Sequence, residues 1–294
     1  MHDRPVARIA ALNVPVPADL PQQVERALAE DIGSGDLTAA LVPADRLSRA
    51  IVITRERAVI CGRPYVEAIF AALDARVHLA WDVEEGAEAP ADQRLFTAQG
   101  PARALLTGER TALNFLQLLS ATATAAHRLA ALIEDTSCRL LDTRKTLPGL
   151  RTAQKYAVRV GGGRNHRIGL FDGILIKENH IQAAGSIGAA VAAARSPGQL
   201  PIEVEVEVES LAELRQAIDA RADIALLDDF TLEQMREAVA VNRGAGRLLK
   251  LEASGGISAD NIRAIADTGV DYVSVGAITK HVRAVDLSMR FEPA

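Results

Sequence analysis

The chain has 294 residues, 49% of them hydrophobic and 24% charged, with a net charge of −5. Such a chain buries a core without staples, and its acidic balance argues against a nucleic-acid partner. The two cysteines, Cys61 and Cys138, stand in no metal-ligand spacing, so a reducing cytoplasm is expected. No segment is a continuous apolar span of transmembrane length, and no membrane partner is expected.

The opening stretch, residues 1–19, reads as a flexible arm. "PADLPQQVERALAEDIG" (17–33) reads as a capped helix ending at Gly33. A β-rich stretch (48–62), a helix (65–74), a strand (76–81), strand material running into a helix (93–110) and a long helix (111–135) follow. Residues 20–135 are thus expected to form an N-terminal α/β sandwich domain.

From about residue 138 the rhythm changes. Short apolar strands at 139–145, 173–179, 202–208, 224–230, 248–256 and 271–277 alternate with helical patterns at 183–196, 211–221, 232–242 and 259–269. Alternating β and α units imply a parallel sheet. Nearly every strand ends in polar or glycine chemistry: Arg144 and Lys145, Lys177, Glu207, Asp228, Ser254-Gly255-Gly256, and Gly276. Sites at all strand ends favour a barrel over an open sheet with one switch point. The expected fold class is α/β, with an incomplete (β/α) barrel of about six strands over 136–283. The C-terminal segment 284–294 is expected to return to the N-terminal domain.

Between Arg139 and His180 nine basic residues face only Asp142, Asp172 and Glu178. Arginine forks and lysine point charges are what carboxylates and phosphates bind. Lys155 and Arg159 read as a solvated helix face. Lys177 follows the apolar "GILI", where a buried charge needs a partner. His166 and His180 could each bind a ligand or merely bond nearby backbone. In "IEVEVEVES" the alternation puts Glu203, Glu205, Glu207 and Glu209 on one face, where they can pair with cations or hold Mg²⁺ near phosphate. "EASGGIS" and "VSVGAIT" place small residues between strand and helix, which suits a phosphate. Arg110 stands at the start of a long helix, against the dipole, and so calls for another reason.

The blocks "EDIGSGDLT", "GERTALNFLQ", "LDTRKTLPGLR", "KYAVRVGGGRNHRIGLFDGILIKENHI", "EVEVES", "LLDDF", "EASGGI" and "GVDYVSVGAIT" together resemble the quinolinate phosphoribosyltransferases, in order from about residue 25 to 283. The resemblance implies transfer of phosphoribosyl from phosphoribosyl diphosphate to quinolinate, with loss of CO₂, using Mg²⁺. It also implies a homodimer or higher oligomer with Arg110 donated across the interface to a quinolinate carboxylate. By position, Arg144, His166, Arg167 and Lys177 complete the dicarboxylate pocket. Lys145 and Thr143 meet the phosphoribosyl diphosphate. Glu207 and Asp228 serve the ribose hydroxyls and Mg²⁺, and Ser254, Gly255, Gly256, Ser274, Val275 and Gly276 form the 5′-phosphate cradle. The catalytic set implied is Lys145, Lys177, Glu207 and Asp228. Two positions depart from the family pattern: Asp229, where Asn is common, and Lys280-His281. Rival readings are a nicotinate acceptor, a Schiff-base aldolase using Lys145 or Lys177, and a silent anion-binding protein.

Overall fold

The computed structural model describes residues 14–195, 202–246 and 248–292; residues 1–13 of the expected arm lie outside them. The chain divides into two units. One holds residues up to 127 together with 147–162 and those from 278 on, and the other holds 128–146 and 163–277.

In the first unit α1 (Leu20–Ile32) has proline in its first turn and stops at Gly33, whose φ is +52°. Next come β1 (Leu47–Thr54), β2 (Ala58–Val59), α2 (Arg63–Leu73), β3 (His78–Trp81), β4 (Glu88–Ala89), β5 (Arg94–Pro101) and the long α3 (Ala102–Ala131). β6 (Arg139–Leu141) belongs to the second unit, and α4 (Arg151–Val160) again to the first. The second unit continues with β7 (Ile174–Ile176), α5 (Glu178–Ala184), α6 (Ile187–Ala194), β8 (Val204–Val208), α7 (Leu211–Asp219), β9 (Ile224–Asp228), α8 (Leu232–Gly244), β10 (Lys250–Ser254), α9 (Ile262–Ala266) and β11 (Tyr272–Ser274). α10 (Ala277–Lys280) and β12 (Leu287–Phe291) close the chain.

The first unit is built on an antiparallel sheet of order β12-β1-β5-β3. β12 pairs with β1 from Ala50↔Phe291 to Thr54↔Leu287, so the C-terminal residues complete this sheet. Its core gathers Val52, Phe96, Phe70, Leu113 and Leu116, with Tyr65 stacked on Phe115 at 4.7 Å. Glu85 accepts from the Gly62 and Arg63 N–H groups at the start of α2, at 2.8 and 3.0 Å, and from the Tyr156 hydroxyl of α4 at 2.8 Å. α4 is buried on nearly all sides. Lys155, expected on a solvated face, is only 2% exposed, because α4 is inserted among apolar neighbours rather than laid on a surface.

The second unit is a six-stranded parallel sheet of order β6-β11-β10-β9-β8-β7. Each strand is shorter than its apolar run, since the polar residues at its end turn into loops or helix caps. Ser186, Ser210 and Thr231 accept from the N–H three residues on and start α6, α7 and α8. The helix expected over 183–196 is split at Gly185, whose φ is +92°. On β8, Val204, Val206 and Val208 are fully buried on one face, which leaves Glu205 and Glu207 on the other.

One residue shows that this sheet curves. His166 donates its backbone N–H to Asp142, just beyond β6, at 2.9 Å, while its ring reaches Glu205 on β8 at 2.8 Å. β11, β10 and β9 lie between those strands. In a flat sheet the two would be about 19 Å apart at ~4.8 Å per strand. The sheet therefore wraps around its glutamate-bearing face, and the loop carrying Arg164 adheres to β6 through the Leu141↔Arg164 bridge.

Candidate active site

Strand pleating orders the site in rungs. Glu205 and Glu207 project to the same face of β8, about 7 Å apart along the strand. The upper rung lies at the strand ends. There Glu207 forms an ion pair with Lys177, whose side chain is 47% exposed. Lys177 is therefore not the buried charge that the apolar run before it suggests, because β7 ends at Ile176 and the lysine stands at the rim as the residue preceding α5. His180 accepts the Lys177 backbone N–H at 3.0 Å, so its ring caps a helix.

Asp228 ends β9 beside this pair. Burial, then the negative charges of Glu207 and Asp229, raise its carboxyl, while Lys177 and Lys145 pull the other way. Lys145, Lys177, Glu207 and Asp228 thus share one electrostatic neighbourhood. Crowded carboxylates with hard oxygen donors are suited to Mg²⁺.

Two glycines let backbone segments close on this rung. At Gly276 a Cβ would come within 2.9 Å of Lys145 Cδ and 3.3 Å of Thr143 Oγ1. The Thr143–Lys145 arm, steadied by the Lys145 N–H on Thr143 Oγ1 at 3.0 Å, can rest against β11 only because that Cβ is missing. At Gly255 φ is +95° and a Cβ would fall 1.9 Å from Asp229 Oδ1. Ser254 pairs with Asp228 across the sheet, so this turn sits directly beside the acidic end of β9.

Arg167 stands in the loop before β7 and feels the charge of Glu205 on the lower rung. Burial, then the like charge of Arg144, hold the Arg167 guanidinium below its ordinary value. Two guanidiniums set against each other are stabilised by an anion between them. His166, Glu205 and Glu252 lie beneath, with Glu252 Oε2 3.7 Å from His166 Nε2. Glu252 is 1% exposed, and neither of its oxygens has a well-aligned partner. Burial, then the charge of Glu205, push its carboxyl well above the usual range. A cavity of about 560 Å³ opens beside this rung, lined by Arg164, His166, Arg167, Glu205, Glu252 and Tyr272 among others.

Sequence reasoning overlooked Asp142, Glu252 and Asn165. Asp142 is fully buried and accepts from the His166 N–H and from Asn165 Nδ2, at 2.9 and 2.6 Å. The signal was present: an acidic residue within an otherwise apolar parallel strand, as in "LLKLEAS", calls for a partner as much as a lysine does.

Arg110 lies exposed on α3 of the first unit, about two turns inside the helix rather than at its start. The dipole fades within the first turn, so it is no objection to a cation there. Thr107 and Thr111 flank it and donate to Asp36 and Asp31 at 2.8 and 3.2 Å, which explains the acidic "EDIGSGD" block as an anchor on α3. Among the described residues no helix is long and apolar enough to cross a membrane.

Comparison with known proteins finds likenesses along most of the chain. The family model described as quinolinate phosphoribosyl transferase, N-terminal domain, matches residues 36–120, and its C-terminal counterpart matches 122–290. A nicotinate-nucleotide pyrophosphorylase [carboxylating] of Mycobacterium leprae is 42% identical over 274 residues, which cover 90% of this chain and 95% of the relative. A probable one from Bacillus subtilis is 39% identical over 260 residues, 88% of this chain and 89% of the relative. The solved nicotinate-nucleotide pyrophosphorylase of Francisella tularensis superposes with a TM-score of 0.90 at 49% identity, over 95% of this chain and 98% of that one.

Proposed function

The chain belongs to the quinolinate phosphoribosyltransferase family, and we propose how its residues divide the work of that reaction. The enzyme transfers phosphoribosyl from phosphoribosyl diphosphate to quinolinate, giving nicotinate mononucleotide, diphosphate and CO₂, a step of NAD biosynthesis. The observation that carries our assignment is the like charge that Arg144 brings to bear on the Arg167 guanidinium, together with the Lys177–Glu207 ion pair and Asp228 at the strand ends.

Arg144 and Arg167 hold the acceptor's carboxylates, and Lys177 at the rim orients the ring. Proximity then supplies much of the rate, since the ring nitrogen has only to stand in line behind the anomeric carbon. Lys145 steadies the departing diphosphate, with Thr143 beside it. The turns Ser254-Gly255-Gly256 and Ser274-Val275-Gly276 receive the 5′-phosphate. Glu207 and Asp228 meet the ribose hydroxyls and would hold Mg²⁺. When bound, that ion supplies charge neutralisation for the diphosphate. After transfer the quaternary ring nitrogen accepts the electron pair left as CO₂ departs. No protein nucleophile takes part, so kinetics are sequential. An aldolase role for Lys177 is disfavoured, since its amine is engaged by Glu207 rather than left open to a carbonyl carbon.

We place the enzyme in the cytoplasm as a homodimer or higher oligomer in which Arg110 reaches a neighbouring subunit's acceptor. Its exposure on α3 supports that reading. The deciding experiment offers quinolinate and nicotinate in parallel with phosphoribosyl diphosphate and Mg²⁺. Mononucleotide and CO₂ from quinolinate alone are expected. Product from nicotinate alone would refute the dicarboxylate pocket.

A further inference from the structure

We propose that Glu205 and Glu252 are positioning residues that act through His166 to hold Arg167 toward the acceptor's carboxylate, and that His166 donates no proton to substrate. The inference rests on the reading of Arg167 given above. It starts from the two ring nitrogens of His166. The Arg167 backbone N–H donates to Nδ1 at 2.8 Å. A peptide N–H can only donate, so Nδ1 carries no proton. Nε2 lies 2.8 Å from Glu205 Oε2. A carboxylate accepts, so Nε2 bears the hydrogen and gives it to Glu205. Both nitrogens are committed to the protein, and the ring is neutral and fixed in one tautomer.

The consequence falls on Arg167. Its peptide N–H is tied to the histidine ring, and its Nη1 donates to the Gly173 carbonyl at 3.2 Å. The His166 N–H is tied in turn to Asp142, which also takes Asn165 Nδ2. Asp142 stands just before Thr143, Arg144 and Lys145, so one buried network joins the arm after β6 to the loop bearing Arg167. Glu205 from β8, Glu252 from β10 and Ser274 from β11 face the ring side of this network, and Arg144 and Asp172 face the guanidinium. Glu205 Oε2 is the oxygen that meets Nε2 at 2.8 Å, while Glu252 Oε2 stands farther off at 3.7 Å.

The test compares Glu205→Ala with Glu205→Gln and reads the His166 tautomer by long-range ¹H–¹⁵N correlation in histidine-labelled protein. Glu205→Ala is expected to raise KM for quinolinate about tenfold, the cost of a lost buried charge-assisted hydrogen bond, with KM for phosphoribosyl diphosphate unchanged. Glu205→Gln keeps an acceptor oxygen and is expected to restore most of the loss. Wild-type His166 is expected as the Nε2–H tautomer at neutral pH. Equal rises in both KM values, no rescue by Gln, or an Nδ1–H or doubly protonated ring would overturn the proposal. So would stoichiometric Zn²⁺ or Mn²⁺ binding to wild type that Glu252→Gln abolishes, since the trio would then hold a cation in place of the His166–Glu205 hydrogen bond. If Glu205→Ala fails to fold, the Gln variant and the wild-type tautomer still decide. A wild type inactive on quinolinate would refute the function instead, and leaves the tautomer measurement standing.

Discussion

Arg144 lies close enough to Arg167 for its like charge, after burial, to hold the Arg167 guanidinium below its ordinary value. An anion close to both would relieve that repulsion, which is the place the proposed function gives to the acceptor's carboxylates. Arg167→Lys keeps the charge and loses the planar fork. KM for quinolinate should rise about ten- to a hundredfold, the worth of one charge-assisted hydrogen bond, while KM for phosphoribosyl diphosphate changes little. Initial rates with each substrate varied in turn check this.

Gly276 predicts a different kind of loss. A methyl there meets the flexible stem of Lys145, 2.9 Å away, rather than backbone. The lysine yields and the fold does not. Gly276→Ala should therefore lower kcat about tenfold by misplacing the group we assign to the diphosphate, with a melting shift of only a few degrees. Gly255→Ala should show the reverse emphasis. Its positive φ and the 1.9 Å approach to Asp229 Oδ1 make it destabilising by about 1–3 kcal/mol. Thermal melts beside steady-state rates separate the two.

The parts of this molecule that follow periodic rules could be read before any coordinates. The alternation in "EVEVEV" put the glutamates on one face, and β8 has them there. The α/β rhythm announced the parallel sheet, and polar strand ends announced its mouth. Burial was less legible. Lys155 looked like any exposed helix lysine, because nothing local to α4 says that it is surrounded. Lys177 looked buried, because an apolar run does not say where its strand ends. The His166 network joins residues 142, 166, 205 and 252, which only the curvature of the sheet brings together.

Glu252 ties stability to pH. Its carboxyl is raised from an ordinary 4.5 to about 8, burial first and Glu205 second. The folded state binds this proton more tightly than the unfolded chain does. The group's contribution is therefore complete below about pH 4.5 and is lost as pH rises toward 8. Glu252→Gln holds the neutral shape at every pH and should flatten that part of the profile. Urea melts from pH 5 to pH 9 on both proteins provide the comparison; equal slopes would contradict the assignment.

Lys177 serves two masters, and its removal should pull two constants in opposite directions. It is the cation opposite Glu207, and it lowers the Asp228 carboxyl as well. In the proposed function it is also the rim cation offered to quinolinate. Lys177→Met takes the positive charge from both. Quinolinate then loses a partner, and its KM should rise about tenfold or more. Glu207 and Asp228 are left with less competition for a divalent cation. The Mg²⁺ concentration giving half-maximal activity should fall a few-fold, because a half-exposed ion pair is worth about 1 kcal/mol at most. Activity titrated against Mg²⁺ at saturating quinolinate checks the second effect separately from the first. Parallel weakening of both would mean that Lys177 organises the carboxylates rather than competing with the metal for them.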